Sequence, residues 1–173
     1  MDTARRAAIS RAHSTTHLLQ KTLRIILGDH VEQAGSLVEP DKLRFDFTHF
    51  AALSAEEIAQ VEAAVNDVIL SAQEISCREM PIEQAKALGA MALFGEKYGD
   101  TVRVVTMGDY SMELCGGIHM QNTAQAGSFK IVSESSVAAG VRRIEAVCGK
   151  GVLEFINALE QDRAAVAGVL KTP

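Results

Sequence analysis

The stretch RAHSTTHLLQ, residues 11–20, sets two histidines four positions apart inside a run that reads as one helix. At ~100° per residue, Ala8, Ile9, Ala12, Leu19, Leu23 and Ile26 gather on one face of residues 3–28, and Gly28 is a natural stop. His13 and His17 fall together on a different face, which Gln20 and Arg24 continue. Residues at i and i+4 have Cβ atoms ~5–6 Å apart, so two imidazoles there can share one divalent ion. The metalloprotease version of this spacing needs a glutamate directly after the first histidine as general base. Ser14 stands in that place, and the protease reading loses its base.

Working outward, VEQAGSLVE and KLRFDFTHF read as two strands joined at Pro40-Asp41, with Leu43, Phe45 and Phe47 alternating with Arg44, Asp46 and Thr48. Ser54 followed by Glu57 is a capping box. It opens a second helix with Ile58, Val61, Val65, Val68 and Ala72 as its buried stripe. ISCREM, TVRVVTM and SMEL read as strands, and Pro81 opens a brief helix that Gly89 ends. SFKIVSESSVA and VRRIEAVC form a further strand pair around Gly140. A last helix over roughly 150–170 has Leu153, Ile156, Leu159 and Val166 as its apolar face. This order predicts an α+β fold, helices packed on a mostly antiparallel sheet, in a single domain spanning residues 1–173.

The composition excludes several classes. With 47% hydrophobic residues and three prolines among 173, the chain is globular, and the absence of tryptophan predicts an aliphatic core. A net charge of −5 argues against whole-surface binding of nucleic acid. Three cysteines are too few and too scattered for a disulfide framework, which favours a reducing cytoplasm. No apolar run approaches the roughly 20 residues of a membrane span. A secretory leader is not visible in MDTARRAAISRAH.

ELCGGIH, residues 113–119, supplies the second half of a site. Gly116 and Gly117 break a helix, so Cys115 and His119 belong to a loop after a strand. A thiolate with imidazoles suits tetrahedral Zn²⁺, and the two pairs together give His13, His17, Cys115 and His119. The predicted centre lies between the N-terminal helix and a strand-end loop. Cys77 and Cys148 lack such partners and are assigned to the core. His30 and His49 lie outside both pairs and are not expected to be ligands.

ARRAAI, RAHSTTHLL, QAGSLVEPDKLRFDFTHF, GAMALFGEKYGD, ELCGGIH and GVRRIEAV, in this order, resemble the editing domain of alanyl-tRNA synthetase and the free-standing AlaX editing proteins. The threonyl-tRNA synthetase editing domain shares the four-ligand logic, but GAMALFGEKYGD and GVRRIEA look like the alanine branch. The resemblance implies hydrolysis of serine or glycine from mischarged alanine tRNA, with zinc as cofactor. The acceptor end of that tRNA and the other domains of a parent synthetase are the implied partners. Nothing in the chain resembles the aminoacylation core or the C-terminal oligomerisation region, so an excised fragment, monomeric in isolation, or a very short stand-alone member is expected. Gln33 matches a family glutamine of the editing pocket; its alternative is a solvated strand residue. Thr15 and Thr16, between the histidines, are candidates to assist catalysis and to contact a serine hydroxyl, or else bond back to the helix. Arg142 and Arg143 alternate across a strand, so one of them is a candidate for a tRNA phosphate. Ile118 replaces the threonine usual in CGGTH, removing a hydroxyl beside two ligands on the substrate side. Catalytic and purely structural zinc both stay open, the second in an inactive tRNA-binding module.

Overall fold

The computed structural model describes residues 2–92 and 98–170; residues 93–97, within the GAMALFGEKYGD stretch, lie outside them. Helix α1 runs Thr3–Leu27, capped by the Asp2 carboxylate accepting from Arg5 N at 2.9 Å. Gly28 ends it with φ 115°, a conformation that favours glycine.

The sequence predicts one apolar stripe on α1, and Ala8, Ala12, Leu19 and Leu23 are indeed buried. The burial nevertheless goes all round the middle of the helix. Ser14 and Thr15 are 0% exposed, and Thr16, His17, Leu18 and Gln20 are buried with them. Neighbours surround this helix on several sides, so its polar residues need internal partners. Thr15, Thr16 and Thr22 donate to the carbonyls of Arg11, Ala12 and Leu18, four residues back.

Strands β1 (Gln33–Glu39) and β2 (Lys42–Thr48) form the hairpin. Its turn places Asp41 at φ 56°, in the left-handed region that Asp tolerates better than most residues. Asp41 is clamped by Arg11 of α1 at 2.6 and 3.0 Å, which fixes the hairpin against the helix. Leu43, Phe45 and Phe47 enter the core as the alternation predicts. The opposite face is less wet than expected, because Asp46 is buried against Arg143.

Helix α2 (Ala55–Leu70) starts with the predicted capping box, Ser54 N donating to Glu57 Oε2 at 2.7 Å. Val61, Val65 and Val68 form its buried stripe, but the helix ends before Ala72, which is exposed at φ 53°. Strand β3 (Ile75–Pro81), helix α3 (Ile82–Ala87), and strands β4 (Thr101–Met107) and β5 (Ser111–Leu114) follow. A 3₁₀ turn at Thr123–Ala126 was not legible in the sequence; four residues carry no periodicity. Strands β6 (Phe129–Ala138) and β7 (Val141–Cys148) lead into α4 (Lys150–Leu170).

The α+β architecture is as predicted, with the strands divided into two sheets ordered β1-β2-β7-β6 and β3-β4-β5, every pair antiparallel. Helix α1 touches β1, β2 and β7 of the first sheet and β5 of the second, so it bridges both. Two expectations fail. Cys77 is exposed on β3 rather than buried, whereas Cys148 is a core residue. The apolar face of α4 is open: Leu153, Ile156, Leu159 and Val166 are all exposed, and Val152 alone of that helix's described residues is buried. Among the described residues, no helix is long and apolar enough to cross a membrane.

This contrast predicts mutational costs. Leu19→Ala should lower the unfolding free energy by about 2–5 kcal/mol, and Leu159→Ala by no more than about 0.5 kcal/mol. Urea unfolding of the two variants beside the parent chain measures both.

Candidate metal centre

One turn of α1 separates His13 from His17, and both rings turn toward the loop that follows β5. Their centroids are 5.2 Å apart, and that of His119 lies 4.5 Å from His13 and 5.1 Å from His17. The Cys115 sulfur is 3.5 Å from His13 Nε2 and 3.4 Å from His119 Nε2. One ligand atom from each of His13, His17, Cys115 and His119 lies within 4.8 Å of the others. A tetrahedral ion with bonds of about 2.0–2.3 Å spaces its ligands at roughly 3.3–3.8 Å, so a small contraction would close the shell.

The loop is built to deliver these atoms. Arg103 on β4 donates to the carbonyls of Cys115 (3.0 Å) and Gly117 (2.5 Å), and Gly117 N points at the Cys115 sulfur at 3.4 Å. A Cβ on Gly117 would collide with the His13 ring, whereas one on Gly116 would meet nothing. Of the two glycines, only Gly117 is demanded by the close approach.

Behind the ligands stands a second set of groups that fixes the rings. Glu113, buried on β5, accepts from His17 Nδ1 at 2.5 Å and from the Ser111 hydroxyl at 2.8 Å. Ser14 Oγ lies 3.2 Å from His119 Nδ1 and accepts from Met120 N. With both Nδ1 atoms engaged, the Nε2 atoms face inward. His17 Nε2 is buried with no hydrogen-bond partner among the described residues, as a ring nitrogen awaiting a metal would be.

The charges fit the same purpose. Burial pushes the Cys115 thiol up, but hydrogen bonds with His119 and His13 and the positive charge of nearby His17 outweigh it and hold the group at about 3. Burial lowers His17, yet the Glu113 charge, the adjacent Cys115 and the bond to Glu113 raise it to about 10. Burial keeps His119 below its ordinary value. Near pH 7 the Cys115 thiolate therefore faces the His17 cation, whose other side is bonded to the Glu113 carboxyl group. Exchanging the His17 proton for a divalent ion would set a larger positive charge against the thiolate, which a buried site favours.

Beside the cluster lies a cavity of about 120 Å³. The α1 residues His13, Thr16, His17 and Gln20 form one wall, and Gln33 and Ser36 of β1 face them, with Met91 and Glu113 also lining the space. A β-bulge between Gln33 and Gly35 interrupts the pairing with β2 there, the device by which strands re-aim side chains next to functional sites. Gln33 donates to Ser36 Oγ at 3.2 Å.

The other sequence candidates divide. Thr16 lines the cavity, but Thr15 is fully buried, bonded to the Arg11 carbonyl and near Cys148 in the core. Ile118 is half-buried in the ligand loop and is not among the cavity's lining residues. Arg142 and Arg143 are held by bidentate pairs to Glu134 and Asp46, so neither guanidinium is free. His30 and His49 bond to each other at 2.8 Å and are not part of the four-residue group. Glu113, Ser14 and Arg103 escaped sequence reasoning, although Glu113 adjoins the Cys115 motif by two positions.

Residues 102–145 match the family model described as the threonyl and alanyl tRNA synthetase second additional domain, a span that includes Cys115 and His119. Across all 173 residues the chain is 57% identical to the alanine–tRNA ligase of Desulforamulus reducens, covering 20% of that protein. It is 60% identical over 172 residues to the enzyme of Acetivibrio thermocellus, again 20% of its length. Over 157 residues it is 62% identical to that of Clostridioides difficile, or 18%. The chain is similar, end to end, to one segment of alanine–tRNA ligase. It spans about one-fifth of these curated relatives, and the resemblance to an alanyl-tRNA synthetase editing domain holds.

Metal uptake should release protons in a calculable number. Below about 10, His17 is protonated before a metal binds and must become neutral to ligate, while Cys115 is already a thiolate above about 3. Calorimetry at pH 7.5 in buffers of differing ionisation enthalpy should show release of about one proton per metal. Affinity should fall about tenfold per pH unit as pH drops below 10 toward 7. Glu113→Gln should weaken binding by about 10–100-fold.

Proposed function

We propose that this chain is an editing deacylase that hydrolyses the ester linking serine or glycine to alanine tRNA, with Zn²⁺ at the four-ligand centre. The observation that carries the proposal is a His₃Cys cluster of which His13, His17 and Cys115 line a cavity of about 120 Å³, in a chain that matches alanine–tRNA ligases throughout. Such a cavity suits a small amino acid and not a long side chain. A synthetic site for alanine cannot exclude glycine sterically and discriminates poorly against one added hydroxyl, so a separate hydrolytic site answers a physical need. We take the partners to be the acceptor end of alanine tRNA and the remaining domains of a ligase, in the cytoplasm where tRNA is charged.

The bound zinc would supply positive charge that polarises an ester carbonyl at the cavity. The chain's own residues do the rest. Gln33 and Thr16, polar groups on opposite walls, are suited to orient a water and the aminoacyl group. Glu113 holds His17 in its ligating orientation. Thr15, in the core, takes no part, and Arg142 and Arg143 would have to leave their carboxylate partners before meeting a tRNA phosphate.

Four protein ligands leave no open coordination position, which is the pattern of structural zinc sites. That closure favours a second reading, a tRNA-binding module stiffened by zinc and inactive alone. Seryl-tRNA for alanine, incubated with the zinc-loaded chain, separates the two. The deacylase reading expects serine release at least about 100-fold above the protein-free rate, abolished by chelator. Release at the protein-free rate would establish the module instead.

A further inference from the structure

Gln20 is the polar residue of the cavity that the account so far leaves without a task. It stands on α1 one turn beyond His17, on the stripe that also carries His13 and Thr16, and it lines the same cavity. The residue is only 4% exposed. A carboxamide offers two donors and a two-fold acceptor. Among the described residues its one hydrogen-bond partner is the Met91 thioether, 3.3 Å from Nε2. Sulfur is a weak acceptor, and buried amides normally find better ones. Its neighbours on the helix satisfy themselves through backbone carbonyls, as Thr16 and Thr22 do, but Gln20 does not.

We propose that Gln20 is the residue by which the cavity tells a serine hydroxyl from an alanine methyl, glycine having no side chain to press against the carboxamide. The inference rests on the deacylase reading above for the kind of ligand that enters. One helical turn is about 5.4 Å, so an ester carbonyl held beside His13, His17 and Cys115 would put the substituents of its α-carbon near the carboxamide. A serine hydroxyl there gives Gln20 the strong partner it lacks. An alanine methyl leaves the amide buried and unsatisfied, the arrangement by which sites reject an analogue lacking a polar group. Gln33 and Ser36 already bond to each other on the facing wall, which leaves Gln20 as the less satisfied amide.

The test uses two non-hydrolysable probes that differ by one oxygen, the 3′-seryl and 3′-alanyl amides of 3′-amino-3′-deoxyadenosine, titrated into the zinc-loaded chain. The parent protein should bind the seryl probe about tenfold more tightly than the alanyl probe. Gln20→Met, close in volume, should reduce that ratio to about twofold or less; its zinc content and unfolding midpoint confirm that it is folded. Equal binding of the two probes by the parent protein, or an unchanged preference in folded Gln20→Met, overturns the inference. Hydrolysis of the corresponding ester is scored separately. Seryl preference without hydrolysis would keep the role of Gln20 and remove the deacylase reading, and hydrolysis without preference would do the reverse.

Discussion

The Cys115 sulfur, held between His13 and His119, is the contact on which the candidate site turns. It ties the central helix to the end of β5, where the helix that packs on the four-stranded sheet meets the three-stranded one. The features around it serve that meeting. Arg103 ties down the loop carbonyls, Gly117 leaves room for the His13 ring, and the Arg11–Asp41 pair fixes the hairpin against the same helix. A thiolate with imidazoles and a carboxylate behind them is a costly group to bury without a cation. The orphaned Nε2 of His17 and the thiolate beside it therefore point to the same occupant.

The helix shows how a site and a core share one element. A helix packed on one side would need only an apolar stripe. Here α1 is enclosed around its middle, and the residues between the two histidines are hydroxyl-bearing ones. They are small enough to pack closely and can satisfy themselves on their own backbone. Ser14 is put to a further use, orienting His119. Its place after His13, which excludes a protease base, thus has a positive reason.

Much of the fold was legible because its elements are locally consistent. The Ser54–Glu57 box, the alternation of β2 and the Pro40-Asp41 turn each announce one structure. The four-residue cluster was legible too, since i, i+4 spacing and a glycine-rich loop constrain where side chains can go. What stayed hidden depends on tertiary neighbours. The division into two sheets follows from which strands pair across long sequence separations. Thr15 and Thr16 are adjacent in sequence, yet one faces Cys148 in the core and the other the cavity. The apolar face of α4 reads as buried by periodicity alone, but no described element covers it. Glu113 looks like any strand glutamate until β5 brings it against His17.

The central claim is that four side chains, three nitrogen and one sulfur, converge on one metal ion. X-ray absorption at the zinc edge of the loaded chain reads that shell directly. The account predicts three nitrogen neighbours at about 2.0–2.1 Å and one sulfur at about 2.3 Å, with the sulfur signal lost in Cys115→Ser. A shell without sulfur in the unaltered chain, made of nitrogen and oxygen alone, would contradict it.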